Sequence, residues 1–142
     1  MARNDAKGKV VVIAGGGKNL GGLLSKDFAA KGAKLVIHYN SESSKAESEQ
    51  TLQAVQAAGA EAILVQADLT KVENITKLFD AAIEKFGGID IAINTVGKVL
   101  KKPFGDTTEA EYDSMSDINS KVAYFFIQEA GKRLNDNGKI CT

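Results

Sequence analysis

In 142 residues the chain has one cysteine, one histidine, one proline and no tryptophan. A lone thiol, Cys141, forms no internal disulfide, and with only His38 beside it cannot build a structural zinc centre, because both need further thiolates or imidazoles. Net charge is also missing: Lys+Arg 18 against Asp+Glu 18 leaves zero. A sequence-independent grip on nucleic-acid phosphates needs surplus cation, so nucleic acid is not an expected partner. Long apolar runs are absent too. After the polar start Met1 to Lys9, the first apolar run ends at Ala14 in a glycine cluster. That is too short for a signal segment or a membrane span, so the default expectation is a cytoplasmic protein with no membrane partner.

What is present suits a folded domain. At 44% hydrophobic and 25% charged residues the chain can bury a core and is neither disordered nor low in complexity. Its length fits one domain over residues 1–142 and leaves little room for two.

Strands and helices alternate along the sequence. Val10-Val11-Val12-Ile13-Ala14 is a β-branched apolar run stopped by Gly15-Gly16-Gly17, the pattern of a strand buried on both faces of a parallel sheet. From Leu20 to Lys31 apolar residues recur at helical spacing, with Gly32 as a C-terminal cap. The unit repeats: strand Leu35-Val36-Ile37, then a helix over Ser43 to Ala58 closing at Gly59. A third strand, Ile63-Leu64-Val65, leads to Asp68, and Thr70 with Glu73 suggests a capped helix whose stripe Val72, Ile75, Leu78, Phe79, Ile83 and Phe86 ends at Gly87-Gly88. Strand four is expected over Ile89 to Ile93, one or two helices over Thr107 to Leu134, and the opening of strand five at Lys139-Ile140-Cys141. Such alternation demands a doubly wound parallel α/β sheet with right-handed crossovers, expected order 3-2-1-4-5 and cut off at the fifth strand. Ligands then bind where the order reverses, at the carboxyl ends of strands one and four.

The residues brought to that point favour a dinucleotide. Gly15 to Gly22 joins a strand to a helix, where free N–H groups and the positive helix end attract phosphate and side chains would obstruct it. The pattern GxGxxG fails because Leu20 stands where glycine is needed. A spaced GxxxGxG fits better, with Gly15 and Gly21 in place, Gly17 and Lys18 inside the turn, and Asn19 where the middle glycine belongs, since Asn tolerates left-handed backbone. An acid that would hold a free ribose 2′-hydroxyl is expected at the end of strand two, yet His38-Tyr39-Asn40-Ser41 offers none before Glu42. Lys18, Ser41, Ser43, Ser44 and Lys45 instead offer donors suited to a 2′-phosphate, so NADP(H) is preferred to NAD(H). His38 either stacks near the adenine or is structural. Asp68, followed by Leu69, either accepts from the adenine amino group or is a helix-start acid. Asn94-Thr95-Val96-Gly97 lines the same crevice or merely joins strand to loop.

Taken together, these pieces resemble the first half of a short-chain dehydrogenase/reductase. Ala14 to Gly21 stands for the family's TGxxxGxG, Asp68 for its adenine-site acid, Asn94 to Gly97 for NNAG, and Asn119 for its helix asparagine. The resemblance implies a Rossmann fold, a nicotinamide cofactor and hydride exchange with a small carbonyl or alcohol substrate; a basic residue before the middle glycine, here Lys18, goes with NADP(H). Three positions depart from the pattern: Ala14 for the threonine, Asn19 for the glycine, Thr95 for the second asparagine. Of the family's Asn-Ser-Tyr-Lys set only Asn119, which supports a water and the lysine backbone region, has a counterpart. The residues four after Tyr39, Tyr112 and Tyr124 are Ser43, Ser116 and Gln128, so no Tyr-x-x-x-Lys occurs.

The expectation is therefore the cofactor-binding part of a longer NADP(H)-dependent reductase, inactive by itself and prone to associate through its exposed sheet edge. A non-catalytic NADP(H) sensor or interaction module is the alternative, and a domain binding no nucleotide a third. Apolar residues from Val122 to Ile127 cover more than one helix face, which fits either homo-oligomer contact or burial within the domain.

Overall fold

The computed structural model describes residues 6–142; the start of the polar segment, Met1 to Asp5, lies outside the described residues. The elements run β1 (Val10–Ala14), α1 (Asn19–Ala30), β2 (Lys34–Tyr39), α2 (Lys45–Ala57), β3 (Ala62–Gln66), α3 (Val72–Phe86), β4 (Ile91–Asn94), α4 (Glu109–Ser116), α5 (Val122–Arg133) and β5 (Lys139–Cys141). All strand pairs are parallel, in the expected order β3-β2-β1-β4-β5.

The central strand shows why. Val12 and Ala14 pack on one face with Ile75, Leu78 and Phe79 of α3 and Phe126 of α5. Val11 and Ile13 pack on the other with Ala29 of α1 and Val55 of α2. Successive strand residues point to opposite faces, so a strand covered on both sides must be apolar at every position. Phe79 and Phe126 meet edge to face with centroids 5.2 Å apart, tying α3 to α5. At one margin, Lys139, Ile140 and Cys141 of β5 are all exposed.

Several boundaries move. A 3-10 turn, Glu42–Ser44, precedes α2, so that helix starts at Lys45 rather than Ser43. The expected Thr70–Glu73 capping box does not form: the N-cap of α3 is Lys71, without a side-chain cap, and the Thr70 hydroxyl binds Asp68 instead. A capping box occurs at α4, where Thr108 accepts from Glu111 N–H and the Glu111 carboxylate accepts from Thr108 N–H. Strand β4 starts at Ile91, because Asp90 lies before the ladder, accepting Val10 N–H on Oδ2 at 2.9 Å and the Asn135 amide on Oδ1 at 3.1 Å. Between α4 and α5 the helix continues through a π-helical stretch, Asp117–Lys121. Such insertions widen one turn and occur often at functional sites.

Candidate functional site

A crevice of about 510 Å³ opens over the carboxyl ends of β1, β2 and β4, where the strand order reverses. Its walls come from Gly15 and the stretch Gly17 to Gly21, from His38 to Ser41 with Ser43 and Ser44, from Thr95 to Lys98, and from Ile118.

The glycine turn forms one wall. Gly15 has φ +73°, a conformation that side chains rarely adopt, and a Cβ there would come 2.7 Å from Thr95 Oγ1. Asn19 takes φ +51°, the left-handed backbone expected where a glycine is replaced by Asn. The turn's carbonyls are drawn inward by buried hydroxyls: Ser25 Oγ donates to Gly16 O at 2.8 Å, and Thr51 Oγ1 of α2 donates to Gly17 O at 2.7 Å. At the helix entrance, Lys18 provides no side-chain cap and the first turn carries no acid. Gly22 N–H bonds Lys18 O at 3.0 Å. The earlier N–H groups of a helix have no carbonyl within it to meet, and the helix end is positive there, so an anion fits this wall. Packing adds to the fit, since a Cβ on Gly21 would overlap the Gly15 carbonyl oxygen.

The end of β2 forms the second wall. Tyr39, Asn40 and Ser41 line it, and the Ser41 and Ser43 hydroxyls are 2.9 Å apart. One sequence candidate lies differently from expectation here. Lys45 is paired with Glu42 at 3.4 Å and is not part of the crevice wall. Ser44 is buried at the rim, its carbonyl taken by Ser48 Oγ. Lys18 makes no ion pair among the described residues, which leaves its ammonium free for a ligand.

His38 is buried at 1% exposure, with Nδ1 3.0 Å from Gly15 N and Nε2 2.7 Å from Ala67 O. Burial lowers its pKa below the ordinary 6.5, outweighing the Ala67 carbonyl and the Asp68 charge. At 1% exposure the ring offers no open face for stacking and both its nitrogens are engaged by backbone, so it supports the crevice from beneath.

A second recess adjoins the first, with Asn40, Ser41, Asp68, Thr70, Lys98 and Ile118 among its walls. Asp68 Oδ1 accepts from the Thr70 hydroxyl at 2.6 Å and from Thr70 N–H at 3.0 Å. The hydroxyl bond is the main reason its carboxyl is held below the usual range, against the opposing effect of desolvation. Asp68 thus fixes a turn ahead of α3 and also lines the recess. Leu69 turns its side chain into the core at 2% exposure, so it offers a ligand only backbone.

At the end of β4, Asn94 is buried: Oδ1 accepts Val96 N–H at 3.0 Å and Nδ2 donates to Thr142 Oγ1 at 3.2 Å. It braces the strand end rather than lining the crevice. Gly97 does line it. Asn119, on the π-helical turn, holds the next residue with both amide atoms, Lys98 N–H to Oδ1 and Nδ2 to Lys98 O, each 2.9 Å. Sequence reasoning placed Thr95 along the crevice but missed that its hydroxyl donates to Ala14 O at 2.8 Å and backs Gly15, and it missed the supporting Ser25 and Thr51. A hydroxyl in place of the motif's second asparagine was the available signal for Thr95.

Among the described residues no helix is long and apolar enough to cross a membrane.

A family model described as enoyl-(acyl carrier protein) reductase matches residues 15–142. A hydroxynaphthalene reductase-like protein of Metarhizium brunneum is 33% identical over 133 residues, which are 94% of this chain and 49% of that protein. The chain therefore spans about half the length of the curated relatives it matches. Among solved structures, a chain from Burkholderia cenocepacia described as a dehydrogenase with bound NADP superposes with TM-score 0.91 at 60% identity, covering 97% of this chain and 52% of that one. A short-chain dehydrogenase from Oenococcus oeni superposes with TM-score 0.84 at 51% identity, covering 96% and 61%.

Proposed function

The chain belongs to the short-chain dehydrogenase/reductase family, and we propose that residues 1–142 form the NADP(H)-binding domain of an oxidoreductase acting on a small carbonyl or alcohol substrate. The observation that carries the cofactor choice is the pairing of an unengaged Lys18 in the glycine turn with a β2 end that presents hydroxyls and no carboxylate. A ribose 2′-phosphate meets a cation and hydroxyl donors there, and a 2′-hydroxyl lacks the acid that ordinarily accepts from it. The relative from Burkholderia cenocepacia, solved with NADP, supports the same cofactor here.

Each proposed site residue then has a task. The turn from Gly15 through Gly17 to Gly21 takes the pyrophosphate, with Asn19 and Leu20 supplying first-turn N–H groups. Lys18, Asn40 and Ser41 take the 2′-phosphate, and Asp68 with the Leu69 backbone takes the adenine side. Asn94 and Gly97 hold the β4 end against the nicotinamide ribose. His38 supports the turn without touching the cofactor. When bound, the nicotinamide supplies or accepts a hydride. The proton has to come from elsewhere: a phenol activated by a nearby cation is the family's device, and no Tyr-x-x-x-Lys occurs in these 142 residues. The share of the reaction assigned to this chain is thus binding and orientation, with Asn119 fixing the Lys98 backbone beside the crevice. Exposed Tyr112, Tyr124 and Ile127 on α4 and α5 support contact between copies of the chain as a homo-oligomer.

The test is titration of the full-length protein with NADPH and NADH. A charge-assisted contact to the 2′-phosphate predicts NADPH tighter by about ten- to a hundredfold. Equal affinity overturns the cofactor assignment. NADPH binding with no oxidation across a panel of carbonyl compounds would instead support a second reading, a non-catalytic NADP(H) sensor or interaction module.

A further inference from the structure

Beneath the crevice lies one side chain that joins its two ends. Strand β2 sits between β1 and β3, and its ladder with β1 runs to Ile13↔Ile37. One residue further, where β1 gives way to the glycine turn, the His38 ring takes over. Nδ1 meets Gly15 N at 3.0 Å on one side and Nε2 meets Ala67 O at 2.7 Å on the other. A backbone N–H can only donate and a carbonyl can only accept, so the two contacts fix the ring: Nδ1 bare and Nε2 protonated. Gly15 opens the turn that lines the crevice, and Ala67 immediately precedes Asp68 in the neighbouring recess.

We propose that His38 is a positioning residue for the dinucleotide: its neutral ring sets the spacing between the Gly15 turn, which takes the pyrophosphate, and the Ala67–Asp68 wall, which takes the adenine side. The inference rests on the dinucleotide-binding function proposed above. It goes beyond that function in assigning a ligand-affinity role to a side chain that the ligand does not touch. The geometry supports it in a second way. Gly15 cannot be repositioned freely, because its left-handed backbone is backed by the Thr95 side chain and its N–H has this one acceptor among the described residues. Losing the acceptor frees the first residue of the turn while leaving the Ser25 and Thr51 bonds to Gly16 and Gly17 intact.

Two amide variants separate the ring's bonds. In His38→Asn the side-chain oxygen stands where Nδ1 does, so the Gly15 acceptor is kept and the donor to Ala67 is lost. In His38→Gln the terminal amide nitrogen reaches toward Ala67, and the Gly15 acceptor is lost. In the full-length protein, NADPH affinity and denaturant stability are measured for both variants, with imidazole nitrogen shifts for the wild type. Both variants are expected to lose similar stability, since each sacrifices one hydrogen bond and ring volume. His38→Gln is expected to bind NADPH about tenfold more weakly than His38→Asn, the cost of a turn N–H left without its partner. Equal affinities in the two folded variants overturn the proposal, because a merely structural ring affects them alike. Should neither variant fold, the wild-type ring decides: a bare Nδ1 whose resonance shifts on NADPH addition supports the proposal, and a protonated or unresponsive Nδ1 overturns it. Wild-type protein that binds neither NADPH nor NADH removes the dinucleotide function and this inference together, whereas NADPH binding with indistinguishable variants removes the inference alone.

Discussion

Gly21 and Gly22 are neighbours in the first turns of α1, and both are buried, yet a methyl group should have opposite effects at the two. At Gly21 a Cβ would overlap the Gly15 carbonyl oxygen and come 2.7 Å from its carbon and 2.8 Å from Gly16 Cα. All three are backbone atoms in a turn pinned by Ser25 and Thr51, so no flexible side chain can yield. Inserting a methylene into tight packing typically costs 1–3 kcal/mol, and an immovable neighbour places Gly21→Ala at the upper end, about 3 kcal/mol. At Gly22 the nearest atoms are Thr51 Oγ1 at 3.5 Å and Gly17 C and O at 3.6 Å, which is ordinary van der Waals contact. There the gain in helix propensity dominates, and Gly22→Ala should stabilise by about 0.5–1 kcal/mol. Denaturant unfolding of the two variants against wild type measures the difference of roughly 4 kcal/mol that these two estimates imply. NADPH affinity should fall with Gly21→Ala, as the turn carrying the N–H groups is pushed out of place. Gly21→Ala within about 0.5 kcal/mol of wild type, or Gly22→Ala as damaging as its neighbour, would refute the packing argument.

Lys18→Ala should weaken NADPH binding by about ten- to a hundredfold and leave NADH binding unchanged, read by fluorescence titration; parallel losses for both nucleotides would mean that the ammonium is not at the 2′-phosphate. Asn119→Ala removes both bonds to the Lys98 backbone, so the Lys98 amide should exchange with solvent about tenfold faster, a change visible by hydrogen exchange in the unliganded protein. Because burial holds the native His38 pKa below 6.5, the unfolded chain takes up this proton first as pH falls. Its contribution to stability is complete above 6.5 and drains below it, with a slope approaching about 1.4 kcal/mol per pH unit that His38→Asn abolishes; the check is urea unfolding across that window, and equal slopes in the two proteins would contradict the buried neutral ring.

The fold was legible because each of its determinants is local. A run such as Val10 to Ala14, β-branched and apolar at every position before a glycine cluster, suits a strand covered on both faces, and the alternation with helices then gives a doubly wound parallel sheet. Element ends were less legible where two local devices compete for the same polar atoms. Thr70 can cap a helix through Glu73 or bind Asp68, and the Asp68 carboxylate, two residues away, takes both its N–H and its hydroxyl. Once those are engaged, the helix starts at Lys71 without a side-chain cap. The π-helical turn at Asp117–Lys121 likewise left no mark in the apolar spacing, because its stretch presents Ile118 to the crevice while Asn119 reaches Lys98.

The candidate site divides along the same line. Residues that line the crevice came from turn chemistry: glycines at the tight turn, Asn19 at positive φ, Lys18 between them. Residues that hold the turn from behind did not, because each acts across a long stretch of sequence. Thr51 reaches Gly17 over 34 positions, and His38 joins residues 23 before it and 29 after it. Each of these bonds exists only after the strands and helices have assembled, so no window of sequence contains both partners. His38 shows the consequence. From sequence it reads either as a ligand contact or as structural; with both ring nitrogens engaged by backbone it is part of the sheet's own bonding, carried one residue past the end of the β1–β2 ladder. The turn therefore owes its shape to its own glycines and its position to side chains on β2, α1 and α2. Substitutions at His38, Ser25 or Thr51 should act on cofactor affinity at a distance, as substitutions at Gly21 act directly.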